Sequence, residues 1–321
     1  MRKYYQLTEY QRYQIYALKK VGHDQQTIAA TLAVSPSTIC RELRRNRGQR
    51  GYRPRPAHQH ALTRRQQKAQ VTKMTPEVVE RIEADLRQEW SPEQIAGRLA
   101  AQGGLRLSPE RIYQHIRADR QAGGTLYRHL RHRQKKRKKR YGKPDARGQI
   151  KDQTRIDQRP TVVEEKSRIG DGEIDLVMGG KGQGALVSLV ERRSRYTLLG
   201  KVASKQAEEV ASKTIGVLAP HKEYTETITA DNGKEFAHHT AISQALDAAV
   251  YFAHPYHAWE RGLNENTNGL IRQYVPKGTA VDSLSEEQVH HIRDRLNHRP
   301  RKGLAFETPH EILARETGLH P

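Results

Sequence analysis

Two acidic residues stand inside segments whose composition suits phosphate chemistry. Asp231 closes an apolar run in TITADNGKEF, where a strand gives way to a loop, and Glu265 lies in PYHAWERGLNENTNGLIRQYVPKG, a loop running into a helix. Thirty-three residues separate them, and a third acid, Asp175, sits upstream in the strand-like alternation DGEIDLVMGG. Two strand-borne aspartates and a helix-borne glutamate can hold a pair of divalent ions for work on phosphodiesters. Three carboxylates brought that close repel one another unless cations neutralise them. Their hard oxygens select magnesium or manganese over zinc. There is no cysteine cluster, and the histidines are scattered without convincing zinc spacing, His238-His239 and His290-His291 reading as surface helix residues.

Spacing alone leaves rivals for each acid. Asp171 and Glu173 neighbour Asp175, Glu235 follows Asp231 by one helical turn, and Glu260 precedes Glu265. In a strand, Glu173 and Asp175 share one face while Ile174 and Leu176 take the other, so periodicity does not separate the two acids. Around them, Asn232, Asn264 and Asn268 can hydrogen-bond phosphates or hold the carboxylates. Arg261, Arg272 and Lys277 can neutralise backbone charge, and Tyr256 and Trp259 can stack on an unpaired base.

The charge distribution agrees with a nucleic-acid enzyme. The chain of 321 residues carries a formal net charge of +21. Residues 1–160 hold 37 Lys and Arg against 14 Asp and Glu, and residues 161–321 hold 20 against 22. A polyanion-binding half joined to a different kind of domain accounts for that asymmetry. A single cysteine, Cys40, excludes an intramolecular disulfide framework and fits a reducing cytoplasm. No apolar stretch approaches the about 18 residues of a membrane span, and MRKYYQLTEYQR lacks the apolar core of a signal peptide. A soluble, cytoplasmic, nucleoid-associated protein is expected.

Three short helices are expected over residues 7–46, with Thr8 capping the first and Ser35-Pro36 starting the third. Ile28, Leu32, Val34, Ile39 and Leu43 form the apolar set, and Ala29 lies where the two helices of a helix-turn-helix approach closely. The helix 36–45 would expose Ser37, Thr38, Arg41, Arg44 and Arg45, with Ser35 at its head, matching recognition-helix docking in a major groove. RGYRPRPAHQHALTRRQQK, with Arg53 and Arg55, reads as a basic arm that tracks phosphates or crosses a groove. Thr75-Pro76, Ser91-Pro92 and Ser108-Pro109 start three more helices, a second helix-turn-helix-like unit that contacts either DNA or protein. The run RHLRHRQKKRKKRYGK, with Lys135, Lys136, Arg137, Lys138, Lys139 and Arg140, binds phosphates without reading sequence.

From about residue 161 the texture changes. DGEIDLVMGG, GALVSLVER and RYTLLGKV predict three antiparallel strands, followed by a helix in KQAEEVASKTIGVLA, a strand in TITAD, a helix in GKEFAHHTAISQALDA and a strand in AVYFA. That order predicts a mixed five-stranded sheet flanked by helices, as in the ribonuclease H-like fold, with Asp175 and Asp231 side by side and Glu265 approaching from one side. The expected architecture is multidomain: an all-α helix-turn-helix domain at 1–62, a second helical domain at 72–122, a basic linker at 123–160 and an α/β ribonuclease H-like integrase catalytic domain at 161–321.

These motifs together resemble the IS-thirty family of bacterial insertion-sequence transposases, within the Asp-Asp-Glu transposase and retroviral-integrase group, over nearly the whole chain. QLTEYQR, TIAATLAVSPSTICRELRRN and WSPEQIAGRL are similar to its DNA-binding motifs. EIDLVMG, TADNGKEF, PYHAWERGLNENTNGLIRQYVPKG and LNHRPRKGLAFETPHEIL are similar to its catalytic blocks. The resemblance implies that Asp175, Asp231 and Glu265 are a catalytic triad holding two Mg2+ or Mn2+ ions. It also implies metal-dependent cleavage and strand transfer on double-stranded DNA, at terminal inverted repeats and target, by a homodimer or larger assembly. Two positions depart from the family's pattern: GEIDL stands where WEGDL is usual, and Ala305 where glycine is usual. A DNA-binding regulator with an inactive catalytic domain is the alternative.

Overall fold

The computed structural model describes residues 6–67, 73–131, 150–255 and 257–318. The chain divides into two compact units with the boundary between Thr72 and Lys73.

The first unit holds α1 (Glu9–Lys20), α2 (Gln25–Thr31), α3 (Pro36–Arg45), a two-residue hairpin of β1 (Arg47–Gly48) and β2 (Gly51–Tyr52), and α4 (Pro54–Gln67). Each of the three expected helices starts where a side chain accepts a hydrogen bond from an otherwise orphaned amide: Thr8 from Gln11, Asp24 from Thr27 and Ser35 from Thr38. Ile15, Ile28, Ala29, Ile39, Leu43, Tyr52 and Ala57 close a small core. Inside it Arg12 Nε donates to Glu42 at 2.8 Å, and the Tyr52 hydroxyl donates to the same carboxylate at 3.2 Å. The expected basic arm is a hairpin and a helix instead. Pro54, its φ preset and its missing N–H harmless in a first turn, opens α4, which packs on α1 through buried Ala57.

The second unit begins with α5 (Pro76–Arg87), α6 (Pro92–Gly103) and α7 (Pro109–Gln121), capped by Thr75, Ser91 and Ser108 as their Ser/Thr-Pro starts predict. Ile82, Leu86, Ile95, Ile112, Ile116 and Leu126 form their core. Residues 126–129 and 150–160, read from the sequence as linker, are structured. Leu126 buries itself against the three helices, and Arg155 pairs with Phe252 at the sheet edge. One apolar residue and one backbone pairing sit in so basic a context that composition hid them. The Lys135–Arg140 run lies outside the described residues.

Then come α8 (Thr161–Glu165), β3 (Asp171–Met178), β4 (Ala185–Glu191), β5 (Thr197–Val202), α9 (Ala207–Leu218), β6 (Thr227–Ala230), α10 (His239–Leu246), β7 (Ala249–Phe252), α11 (Gly262–Tyr274), α12 (Glu286–Asn297) and α13 (Pro309–Thr317). The sheet order is β5-β4-β3-β6-β7, with β3, β4 and β5 antiparallel and β6 and β7 parallel to β3. This is the mixed five-stranded, ribonuclease H-like arrangement expected from the order of apolar runs. Both faces are covered, so β4 is buried along its length and its residues divide by period two. Ala185, Val187 and Leu189 join the layer of α9, α10 and α13, whereas Leu186 joins that of α11 and α12.

The α5–α7 helices are docked on this domain's C-terminal segment. Arg98 pairs with Glu311, Gln94 Nε2 donates to the Pro300 carbonyl at 2.8 Å, and Arg299 Nε donates to Gln94 Oε1 at 2.9 Å. Gly97 lies directly under the Phe306 ring, which a Cβ there would overlap. Ala305 sits at φ +51°, in the left-handed region.

Two substitutions test this packing by thermal unfolding of the full chain. Gly97→Ala must displace the Phe306 ring and is expected to cost about 1–3 kcal/mol. Ala305→Gly relieves the left-handed strain and is expected to raise stability by about 0.5–1 kcal/mol.

Candidate active site

Strand pairing places the two aspartates. In the parallel β3–β6 pair, Asp171, Gly172 and Glu173 stand opposite Thr227, Ile228 and Thr229. Continuing that register by two residues brings Asp175 level with Asp231, immediately past the end of β6. Asp175 shares its strand face with Glu173 and Val177, toward the layer of α11. Arg261 lies against both acids: its Nη2 donates to Asp231 Oδ2 at 3.3 Å, its Nη1 stands 3.8 Å from Asp175 Oδ2, and Nη1 also donates to the Ile174 carbonyl at 3.0 Å. The Asp175 and Asp231 side chains retain only 24% and 23% of their exposure. Burial pushes the Asp175 carboxyl above the usual carboxylate range; Arg261 opposes the shift and nearby Asp231 adds to it.

Each oxygen of Asp175 is held. Leu176 N donates to Oδ1 at 2.8 Å and Asn268 Nδ2 to Oδ2 at 2.8 Å, while the Ser188 hydroxyl on β4 donates to Asn268 Oδ1 at 3.0 Å. Gly233 N donates to Asp231 Oδ1 at 2.8 Å. Arg261, the N-cap residue of α11, and Glu265 and Asn268 on the helix itself fall at i, i+4 and i+7, along one side of its start. Glu265 is exposed between two residues that touch the aspartates. The donor set is all oxygen and oriented by amides, with Arg261 against both aspartates, and it fits a hard divalent ion.

The rival acids have other partners. Glu173 is buried against Arg192 at 2.6 Å and accepts from Asn264 N at 3.2 Å. Asp171 is buried between Arg168 and the Thr227 hydroxyl. Glu260 faces His254 and His257, and Glu235 lies half-buried in the turn after Asp231.

Of the DNA contacts expected near these acids, two are repositioned. Asn264 is buried, 1% exposed, with both side-chain polar atoms lacking a hydrogen-bond partner, because its backbone is drawn onto Glu173 and turns the side chain inward. Arg272 spends its guanidinium on the carbonyls of Met178 and Val275, at 2.7 and 3.4 Å, tying α11 to the end of β3. Lys277, in the loop beyond α11, is exposed. Tyr256 lies outside the described residues. Asn268 holds a carboxylate, one of the two roles its sequence context offered, whereas the bridging of both aspartates by Arg261 was not predicted; its spacing from Glu265 was the available signal.

In the first unit, Ser35, Ser37, Arg41, Arg44 and Arg45 are exposed and Thr38 half-exposed along α3, with Arg53 and Arg55 exposed around the start of α4. Arg41 Nη2 donates to Ser37 Oγ at 2.9 Å, and Ser35 Oγ lies 2.9 Å from Ser37 Oγ, so this hydroxyl-and-guanidinium face is already organised.

The helix-turn-helix domain family matches residues 3–46. Over 95% of this chain and 94% of its own, the transposase for insertion sequence element IS4351 of Bacteroides fragilis is 41% identical. The transposase for IS1086 of Cupriavidus metallidurans is 38% identical over 97% of this chain and 95% of its own. Transposase InsI for IS30A of Escherichia coli K12 is 36% identical over 91% and 79%. This chain belongs to the IS-thirty family of insertion-sequence transposases.

In this transposase the helix-turn-helix unit and the carboxylate-bearing sheet lie in separate compact units of one chain. No helix among the described residues is long and apolar enough to cross a membrane. Glu173 is the transposase's internal strut, fixing the first turn of α11 from which Glu265 projects. Glu173→Ala would leave Arg192, 3% exposed, with the exposed carboxylate of Glu164 and the Val163 carbonyl as its partners among the described residues. A loss of about 3 kcal/mol is expected in chemical denaturation, the usual cost of breaking a buried pair by removing one partner.

Proposed function

We propose that this transposase binds the terminal inverted repeats of its own element through α3 and cleaves and joins DNA at Asp175, Asp231 and Glu265, which would hold two Mg2+ or Mn2+ ions. The observation that supports this most is the in-register pairing of β3 with β6, which sets Asp175 level with Asp231 under the stripe of Arg261, Glu265 and Asn268. When bound, such ions stabilise charge on the phosphodiester and make a water or a 3′-hydroxyl nucleophilic.

The chain's own residues do the positioning. Leu176 N and Asn268 fix the two oxygens of Asp175, and Gly233 N fixes one of Asp231. Arg261 offsets the repulsion between the acids and is a cation at hand for the non-bridging oxygens of a phosphate. Lys277 lies on the exposed loop past α11, suited to the strand beyond the site. A charge-neutralising site of this kind serves hydrolysis at an element end and transfer of that end to target DNA alike, without a covalent protein–DNA step.

Readout is assigned to Ser35, Ser37, Thr38, Arg41, Arg44 and Arg45, with Arg53 and Arg55 on phosphates and the Lys135–Arg140 run adding sequence-independent attraction. Asn264 and Arg272, bound to the protein's interior and backbone, are assigned to the site's framework. The domain reading that accompanies this is a DNA-binding domain at 1–62, a helical domain at 72–122 docked on the catalytic domain at 161–321, and a basic connection at 123–160. Two element ends must meet for joining, so a homodimer or larger assembly on DNA is part of the proposal.

Labelled DNA bearing the element's ends, incubated with Mg2+ or Mn2+, tests it. Asp175→Ala, Asp231→Ala and Glu265→Ala should each lower cleavage and joining by more than about a hundredfold, since even outer-sphere losses at metal sites cost about 10–100-fold. End binding should stay intact in all three. Arg44→Ala should instead weaken specific end binding by about 1–3 kcal/mol in a gel-shift titration, leaving chemistry per bound complex unchanged. Equal activity of Glu265→Ala and wild type would overturn the assignment.

A further inference from the structure

The loop from β7 into α11 carries a second cluster of metal-binding side chains, chemically unlike the aspartate site. His254, His257 and Glu260 recur at intervals of three, and one ligand atom from each lies within 4.8 Å of the others, the one such group of three found among the described residues. The two Nδ1 atoms converge on a single carboxylate oxygen: His254 Nδ1 stands 2.9 Å and His257 Nδ1 3.1 Å from Glu260 Oε1. The imidazoles lie with ring centres 5.2 Å apart and planes at 55°, splayed around the shared oxygen. Glu260 Oε2 accepts from His254 N at 2.8 Å, which fixes the carboxylate's orientation.

A second observation concerns the far side of His254. Its Nε2 lies 2.9 Å from Asp157 Oδ2, on the segment of residues 156–158 that leads into α8. A carboxylate behind the remote nitrogen of a ligating imidazole is the recurrent outer shell of metal sites, where it fixes the tautomer and raises ligand basicity. All three ligand side chains are partly open, 31%, 42% and 17% exposed, so an ion can reach them and a water can complete the shell.

We propose that His254, His257 and Glu260 form a zinc-binding site, with Asp157 as the outer-shell partner of His254. Two imidazole nitrogens and one carboxylate oxygen favour zinc over magnesium, the reverse of the preference of the all-oxygen aspartate site. Arg261 follows Glu260 directly, so the ion pins the loop that delivers Arg261 to Asp231. Through Asp157 it also ties that loop to the segment preceding the catalytic domain. Metal binding at this centre requires neither the aspartates nor the reaction proposed there.

Cobalt titration of the full-length, chelator-treated protein tests the site. A site of nitrogen and oxygen ligands with low coordination gives intense visible d–d absorption, whereas octahedral all-oxygen cobalt absorbs weakly. The expected result is one absorbing equivalent, displaced by Zn2+ and not by excess Mg2+, present in wild type and in an Asp231→Asn/Glu265→Gln variant. It should weaken at least tenfold in His257→Asn and in Glu260→Gln, each checked by circular dichroism for a native fold. Zn2+ should raise the unfolding temperature of wild type but not of these two variants. Absence of the absorbing equivalent, its persistence in both loop variants, or its loss in the aspartate-site variant would overturn the proposal.

Discussion

The rest of the structure is arranged around a repulsion. Two carboxylates, Asp175 and Asp231, are held level on neighbouring parallel strands in a site that has lost three-quarters of its exposure. Like charges drawn out of water at this spacing destabilise a fold unless something fixes and offsets them. The central position of β3, bonded on both sides by β4 and β6, supplies the fixing, because moving either acid would break ladder hydrogen bonds along a whole strand. Arg261 supplies the offset from the head of α11.

A second set of charges, buried except for Glu164, lies behind the first. Glu173 shares the strand face of Asp175, yet its partner is Arg192, and Arg192 in turn reaches Glu164 on α8 and the Val163 carbonyl. Arg159 joins the same set through Glu164 and the Thr229 hydroxyl. These contacts bind the segment preceding the domain to β3, β6 and the start of α11. Glu173 thereby acts through position rather than chemistry, and the helix carrying Glu265 is anchored by a backbone amide as well as by apolar packing through Leu270 and Ile271.

The docking of α6 follows the same logic at larger scale. Its Ser-Pro start gives a capped helix, and Gln94 at its third position both closes the capping box and reaches Arg299 and Pro300. Arg299, only 2% exposed, also donates to Gln273 near the end of α11. The second helix-turn-helix-like unit, expected from its Ser/Thr-Pro helix starts to contact either DNA or protein, is thus connected to the helix bearing the candidate glutamate. The close approach needs Gly97, and the chain accepts left-handed backbone at Ala305 and Phe306 to present the ring that covers it.

Much of this was written locally. Ser/Thr-Pro pairs fixed helix starts, apolar runs fixed strands in their observed order, and period two put Glu173 and Asp175 on one face. Partners were not local. Nothing in DGEIDLVMGG distinguishes the acid that meets Arg192, nineteen residues on, from the acid that meets Asn268, ninety-three residues on. Asn264 reads as a surface asparagine until its amide is drawn onto Glu173, and the prolines and arginines of residues 53–65 read as an arm until α1 offers Ala57 a surface to bury against. The sequence determined which elements form and which acids they carry, because capping and periodicity are short-range. Only the tertiary structure decided which acid faces a buried cation and which faces the open site, because charge pairing in a low dielectric depends on residues distant in the chain.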